Sequence, residues 1–172
     1  MRNLGDLNKK IIEEKDLKKI REIHKDKKIV FCSGCFDIIH SGHAFFLNQC
    51  KELGNILVVG VGKDSLIKSY KGPGRPINSE NNRIYLISSL ESVDYTFLIN
   101  NQKYLNEFVT FGESINLLKP DIFAINDDVS KQMISYCKNL CAKHGISFVL
   151  MKRNTHPLLE KISTTEISNK LK

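Results

Sequence analysis

Residues 30–43, which read VFCSGCFDIIHSGH, join the first β-branched run of the chain to an amphipathic helical segment over residues 43–53. A strand, a glycine-containing loop and a helix N-terminus together favour phosphate binding, because free N–H groups and the helix dipole attract an anion. His40 and His43 are three residues apart with Gly42 between them, so both imidazoles can face that site. Such a pair suits the charge that grows on a phosphoryl group during a reaction.

The alternative interpretation is that the two histidines are polar loop residues that cap a helix. Three neighbours favour the phosphate site. Gly34 permits a close approach of the backbone. Asp37 can orient an imidazole or help to hold a metal–triphosphate complex. Gly42 leaves room for a phosphate between the rings.

Length and composition indicate one globular domain without a membrane segment. A chain of 172 residues can bury a full core, and 41% hydrophobic with 26% charged residues is typical of globular proteins. No apolar run is long enough to span a bilayer, and the N-terminus lacks the apolar core of a signal peptide. We therefore expect a cytoplasmic protein that does not bind a membrane.

The net charge of +7 is concentrated in the first 28 residues, which have ten Lys/Arg and six Asp/Glu. A solvated helix face explains this excess better than DNA binding, which needs a denser basic patch with interleaved aromatic residues. A basic cleft for polyphosphate would account for the remaining charge. We therefore expect no nucleic-acid partner.

The five cysteines do not indicate a disulfide framework, since their number is odd and no signal for secretion is present. A zinc site formed by Cys32, Cys35, Cys137 and Cys141 is the alternative, but the spacing lacks the usual knuckle. Buried free thiols are the simpler interpretation.

Apolar spacing predicts helices that alternate with strands. The helices are predicted over residues 7–26, 43–53, 64–69, 80–91, 104–118, 130–143 and from about 163 to the C-terminus. The strands are predicted over residues 28–33, 56–62, 95–99, 121–125 and 146–151. This alternation predicts an α/β fold: a Rossmann-like, doubly wound sheet of five parallel strands in the order 3-2-1-4-5, in one domain. Residues 1–27 would be an N-terminal helical extension of the α/β domain at 28–172.

Ligands of such sheets bind beyond the carboxyl ends of the strands. The loop over residues 34–43, called the histidine loop or signature loop below, follows the first strand. The Asn126-Asp127-Asp128 turn follows the fourth strand, so both should open onto one crevice. That turn could also be an ordinary connection without a function.

Two further segments suit phosphate. Lys68, Lys71 and Arg75 surround a Gly/Pro-rich loop that could cover a triphosphate, although a solvated surface loop explains it too. Ser163, Thr164 and Thr165 begin the last helix, where hydroxyls and free N–H groups suit a phosphate. The alternative there is an ordinary N-cap with a capping-box acid.

The loop Gly34–His43 resembles the signature loop of the cytidylyltransferase-like nucleotidyltransferases. Residues 71–78, together with Arg83 and residues 90–95, are similar to the adenylyltransferase domain of ADP-heptose synthase. Residues 162–167 match the third family motif, which is shared with glycerol-3-phosphate cytidylyltransferase. The resemblance extends over residues 28–171 and identifies the α/β region as a nucleotidyltransferase domain.

The resemblance implies that an NTP, either CTP or ATP, reacts with a phosphorylated sugar or polyol to give an NDP-linked product and pyrophosphate, with Mg²⁺ as cofactor. We expect the protein to form a homodimer. No metal would be fixed by the protein alone, since Mg²⁺ would come with the triphosphate. The catalytic residues that it implies are His40, His43 and Lys71. The nucleotide-binding residues that it implies are Gly34, Cys35, Phe36, Asp37, Gly42, Lys68, Arg75, Asn126, Asp127, Arg153, Ser163, Thr164 and Thr165.

The chain departs from both branches of the family. Asn126-Asp127-Asp128 is nearer to the Gly-Asp-Asp of the cytidylyl branch than to the Lys-Gly-Gly-Asp-Tyr of the adenylyl branch. The cytidylyl branch has an arginine at Glu91, and residues 154–161 separate Arg153 from the third motif. The turn favours CTP slightly, because residues after the fourth strand can reach a base edge. A heptose 1-phosphate adenylyltransferase and a non-catalytic nucleotide-binding protein remain the alternatives.

Overall fold

The computed structural model describes residues 9–100, 104–105, 108–109, 111–152, 158, 160 and 163–170. Its helices are α1 (Leu17–Ile23), α2 (Ser41–Glu52), α3 (Asp64–Lys71), α4 (Glu80–Ser88), α5 (Gly112–Leu118), α6 (Lys131–His144) and α7 (Thr164–Lys170), and a short 3-10 helix (Glu14–Asp16) precedes α1. Its strands are β1 (Ile29–Gly34), β2 (Ile56–Gly62), β3 (Tyr95–Ile99), β4 (Tyr104–Leu105), β5 (Phe108–Val109), β6 (Ile122–Asn126) and β7 (Ser147–Met151).

Five of these strands form one parallel sheet in the order β3-β2-β1-β6-β7, and β4 pairs with β5 as a separate antiparallel hairpin. Counted without the hairpin, the order is 3-2-1-4-5, which confirms the predicted fold. The signature loop follows β1, the central strand, so it lies in the middle of the carboxyl edge of the sheet.

The sheet is covered on both faces because its strands are apolar on both sides. The side chains of β1 alternate between two buried clusters, as the period of a strand requires. Phe31 stacks on Phe97 and Phe123 on one face, with ring centroids 6.0 Å and 5.2 Å away. Val30 and Cys32 point into the cluster on the opposite face.

The prediction of one helix over residues 7–26 is wrong. Ile11 forms an isolated parallel bridge with Thr96, and the Ile12 N–H donates to the Thr96 carbonyl at 2.9 Å. The exposed edge of β3 offers unpaired backbone groups, and pairing with them satisfies this segment better than a solvated helix would. The longer helix in this region is α1, which buries Leu17 and Ile20 in the core.

The prediction of a helix over residues 104–118 is also wrong in its first half. Residues 104–109 contain the β4–β5 hairpin, and the helix α5 begins only at Gly112. Tyr104, Phe108 and Val109 have high strand propensity, and glycine is better tolerated at a helix start than inside a helix.

The predicted end of α4 at residue 91 is three residues too late, since the helix ends at Ser88. The hydroxyls of Ser88 and Ser89 both donate to the Tyr85 carbonyl, at 2.7 and 2.9 Å. Such local bonds compete with the continuing helix for its carbonyl groups. In the part of the chain that the structure describes, no helix is long and apolar enough to cross a bilayer.

Candidate nucleotide and phosphate site

His40 is the N-cap of α2. Its backbone is extended, with φ −147° and ψ 172°, and its Nδ1 accepts a hydrogen bond from the Gly42 N–H at 3.1 Å. Because Nδ1 is an acceptor, a neutral His40 ring has its proton on Nε2. His40 therefore caps the helix, as the alternative interpretation held, and also keeps an N–H donor at the opposite side of the ring.

His43 lies in the first turn of α2, beside His40. The two ring centroids are 4.0 Å apart at an interplanar angle of 35°, and both side chains are partly buried. One phosphoryl group can contact both imidazoles at this separation. The two histidines are thus brought together at a helix start, as their spacing predicts.

Phe36 holds the signature loop in an unusual backbone conformation. Its φ of +50° is left-handed, which is strained for a residue with a side chain. The buried ring lies over Gly34, where an added Cβ would be 2.9 Å from the ring, and its edge packs on His43 at a centroid distance of 5.4 Å. Gly34 is required here because the Phe36 ring occupies the space above it.

Asp37 holds the loop that follows α3. Its buried Oδ1 accepts from the N–H groups of Ile77 and Asn78, at 2.7 and 3.0 Å. Its Oδ2 lies 2.6 Å from Nε of Arg75, and the Asn78 side chain donates to the Asp37 carbonyl at 2.6 Å. The carboxylate therefore positions this loop rather than orienting a histidine.

Arg83 of α4 joins the ends of two strands to the same loop. Its side chain is fully buried, and its guanidinium donates to the carbonyls of Cys35, Gly62 (2.7 Å) and Asn78 (3.0 Å). It also donates to Oδ1 of Asp64 at 2.7 Å. In the sequence, Arg83 belongs to a family motif but is not among the predicted site residues. Its position on the apolar face of a predicted helix is the sequence feature that indicates a buried, hydrogen-bonded arginine.

Helix α3 is tied to the signature loop by a contact between the Tyr70 hydroxyl and the Cys35 thiol. Lys68 and Lys71 are exposed on this helix, and Nζ of Lys71 lies 5.9 Å from the centre of the Tyr70 ring. The two cations therefore belong to an element that is anchored beside the histidine loop.

The third predicted motif meets the signature loop as well. The Thr164 hydroxyl donates to the Ile38 carbonyl at 3.4 Å, and the Ser163 hydroxyl accepts from the Glu166 N–H at 3.2 Å. Ser163 thus caps the last helix, and Thr165 lies within that helix. The predicted Arg153 lies outside the described residues.

The Asn126-Asp127-Asp128 turn lies at the same edge of the sheet. Asn126 ends β6, which neighbours β1, and the Asp127 N–H donates to the Met151 carbonyl at 2.9 Å. Asp127 and Asp128 are exposed. Adjacent parallel strands end side by side, so the turn borders the crevice of the histidine loop.

The five cysteines are free thiols. Burial raises the pKa of Cys32, and it raises the pKa of Cys137 to about 12 and that of Cys141 to about 11. Among the described residues, no three His, Cys, Asp or Glu side chains are grouped closely enough to hold a metal ion.

The sequence model of the cytidylyltransferase-like family matches residues 31–170. Bifunctional protein HldE of a Nitratiruptor species is 44% identical over 119 residues, which are 66% of this chain and 24% of that protein. HldE of one Helicobacter pylori strain is 37% identical over 155 residues, 87% of this chain and 31% of that protein. The chain therefore spans less than a third of the length of these curated relatives.

Two solved structures share the fold. The lipopolysaccharide core biosynthesis protein from Thermoplasma volcanium has a TM-score of 0.61 and 30% identity, and the match covers 76% of this chain and 98% of that one. Pantoate-beta-alanine ligase from Francisella tularensis also has a TM-score of 0.61, at 17% identity, over 94% of this chain and 77% of that one. The second likeness bears on the fold alone.

Proposed function

The chain belongs to the cytidylyltransferase-like family, and from this premise we propose that it transfers a nucleotidyl group from an NTP to the phosphate of a phosphorylated sugar or polyol. The observation that supports this most strongly is the pair of imidazoles 4.0 Å apart at the start of α2. They lie at the carboxyl edge of the central strand, where such sheets bind their ligands.

In this reaction an oxygen of the acceptor phosphate attacks the α-phosphorus of the NTP. A new P–O bond forms there while the bond from the α-phosphorus to the bridging oxygen breaks, and pyrophosphate leaves with the electron pair. No covalent enzyme intermediate is needed, so the protein acts by positioning and by electrostatic stabilisation. His40, through Nε2, and His43 would donate to the phosphoryl oxygens, and Lys68 and Lys71 would neutralise the triphosphate.

We propose that Mg²⁺ would enter this site together with the triphosphate. The Asp37 carboxylate faces the loop at residues 75–78, and the described residues form no cluster of metal ligands. Mg²⁺ commonly keeps several waters and binds substrate phosphates instead of a cage of protein ligands. When bound, it would supply charge neutralisation to the triphosphate.

ATP is the first candidate for the nucleotide and a heptose phosphate the first candidate for the acceptor. Relatives at 37–44% identity are named bifunctional protein HldE, and residues 71–78 of this chain resemble the adenylyltransferase domain of ADP-heptose synthase. CTP with a polyol phosphate is the second candidate, and the Asn126-Asp127-Asp128 turn at the edge of the crevice favours it. We further propose a homodimer in the cytoplasm.

The test is pyrophosphate release with Mg²⁺, using ATP or CTP with heptose 1-phosphate, mannose 1-phosphate or glycerol 3-phosphate. We expect release that depends on the acceptor, with ATP preferred, and an exposed-surface variant, Lys138→Gln, should match the wild type. Pyrophosphate release with CTP but not with ATP would make CTP with a polyol phosphate the first candidate. Stabilisation of the fold by an NTP without pyrophosphate release on any acceptor would favour the non-catalytic class.

A further inference from the structure

We propose that Arg75 binds the phosphate of the acceptor substrate as a bidentate hydrogen-bond donor, and that Asp37 holds its guanidinium in place. This inference rests on the proposed function and assigns a subsite to one of its two substrates. It also gives Arg75 a different ligand from Lys68 and Lys71 of α3, with which it is grouped in the sequence as a cation for the triphosphate.

The first observation is the way the Arg75 side chain is anchored. It is only one-fifth exposed, and its Nε lies 2.6 Å from Oδ2 of Asp37, whose side chain is 1% exposed. Although the two atoms are close, neither makes an aligned hydrogen bond. The contact is an ion pair that holds the stem of the guanidinium.

The second observation concerns the other end of the guanidinium. Within the residues that the structure describes, the two terminal nitrogens of Arg75 have no hydrogen-bond or ion-pair partner. Nε is the buried atom of this side chain without a hydrogen-bond partner, so the terminal nitrogens form a donor face that is open to solvent and can be reached by an anion. An anion that arrives with the substrate would satisfy it.

The third observation is that hydrogen bonds fix both Asp37 and the loop that carries Arg75. Asp37 also accepts the N–H groups of Ile77 and Asn78, and Arg83 donates to the Asn78 carbonyl. Arg75 is therefore fixed to the signature loop, at a residue three positions before His40. A guanidinium held in this way presents a planar fork, which matches two oxygens of a phosphate.

The acceptor is the better occupant of this fork. In the proposed reaction the triphosphate is assigned to the two imidazoles, the start of α2 and the lysines of α3. The attacking phosphate is a second anion that must approach the first, so it needs a counter-charge of its own close to the histidine loop. Arg75 supplies that charge from a fixed position.

The experiment measures binding and turnover separately in Arg75→Lys, which keeps the charge beside Asp37 but loses the fork. Calorimetry without NTP uses glycerol 3-phosphate, mannose 1-phosphate and heptose 1-phosphate as probes. We expect the Kd of the bound probe to rise on the order of 10- to 100-fold, as for the loss of hydrogen bonds to a charged group. The KM of the acceptor should rise similarly, while the KM of the NTP stays unchanged. Lys138→Gln is the matched control for removing a surface cation.

Three results would overturn the inference: equal probe binding by wild type and Arg75→Lys, no binding of any probe by wild type, or a rise in the KM of the NTP alone. Thermal melting of Arg75→Lys and Arg75→Gln separates unfolding from loss of the subsite. If wild type binds a probe through Arg75 but releases no pyrophosphate, the proposed function fails and the subsite stands.

Discussion

His40 combines a structural and a chemical role in one ring. Nδ1 caps α2 by accepting from the Gly42 N–H, so the proton of the neutral ring lies on Nε2. The cap and the donor are on opposite sides of the imidazole, and a substitution can remove one without the other.

We predict that His40→Asn and His40→Ala differ in stability but not in activity. Asparagine can still accept at an N-cap, so its unfolding free energy should stay near that of wild type, whereas alanine should lose about 1 kcal/mol. Both should lose turnover on the order of 10²- to 10³-fold, because neither has the Nε2 donor. Urea denaturation and pyrophosphate release measure the two effects. Wild-type turnover in His40→Asn would contradict the chemical role.

Residue spacing predicts the histidine pair but not the partners of Asp37. His40 and His43 belong to one turn, so local geometry alone brings their rings together. Asp37 meets Ile77 and Asn78, about forty positions away, only after α3 and its following loop have packed against the signature loop. Contacts of that range depend on the tertiary fold and leave no periodic signal in the sequence.

At the scale of elements, Arg83 is the residue that joins strands, helix and loop. It donates to carbonyls at the ends of β1 and β2 and to the Asp64 carboxylate at the start of α3. These are the elements that carry the signature loop and the two lysines.

We predict that Arg83→Met destabilises the fold by about 3–5 kcal/mol, since it leaves a carboxylate and several buried carbonyls without their donor. Chemical denaturation measures the loss. Asp64→Asn is the matched control, because it removes one charge while keeping the arginine, and it should cost less. If Arg83→Met lowered the free energy of unfolding by less than Asp64→Asn does, the proposal that Arg83 joins these elements would be refuted.

The elements that pattern predicts well are those whose burial follows a simple period. The strands β2 and β3 begin and end where their apolar runs do. Helical spacing of the apolar residues predicts a helix before α1 as well, yet Ile11 and Ile12 pair with the edge of β3. An edge strand that lies more than eighty positions away overrides that spacing.

For the whole molecule, the order of the sheet follows from the alternation of strands and helices, and it places the three predicted motifs along one edge.

The buried thiols show how the packed core responds to pH. Burial, with a contribution from nearby Cys141, raises the pKa of Cys137 from 9.0 to about 12. The folded state therefore keeps this proton at a pH where the unfolded chain has lost it.

We predict that this thiol stabilises the fold fully below pH 9.0 and that its contribution is lost as the pH rises from there toward 12. The unfolding free energies of wild type and Cys137→Ala should differ by a constant amount below pH 9.0. Above it, the difference should shrink by about 1.4 kcal/mol per pH unit. Denaturation curves across this range provide the measurement, with Lys138→Gln as a control on the same helix. A difference that stays constant above pH 9.0 would contradict burial of the thiol.

The most direct test of the proposed reaction is ³¹P NMR of the protein with ATP, Mg²⁺ and heptose 1-phosphate. We predict that the ATP and sugar-phosphate resonances fall together while pyrophosphate and a diphosphate-linked product appear in equal amounts. His43→Ala should slow this conversion on the order of 10²- to 10³-fold. The proposed reaction would be contradicted if neither the ATP resonances nor, with CTP in place of ATP, the CTP resonances changed with any of the three acceptors. Equal rates for wild type and His43→Ala would contradict it as well.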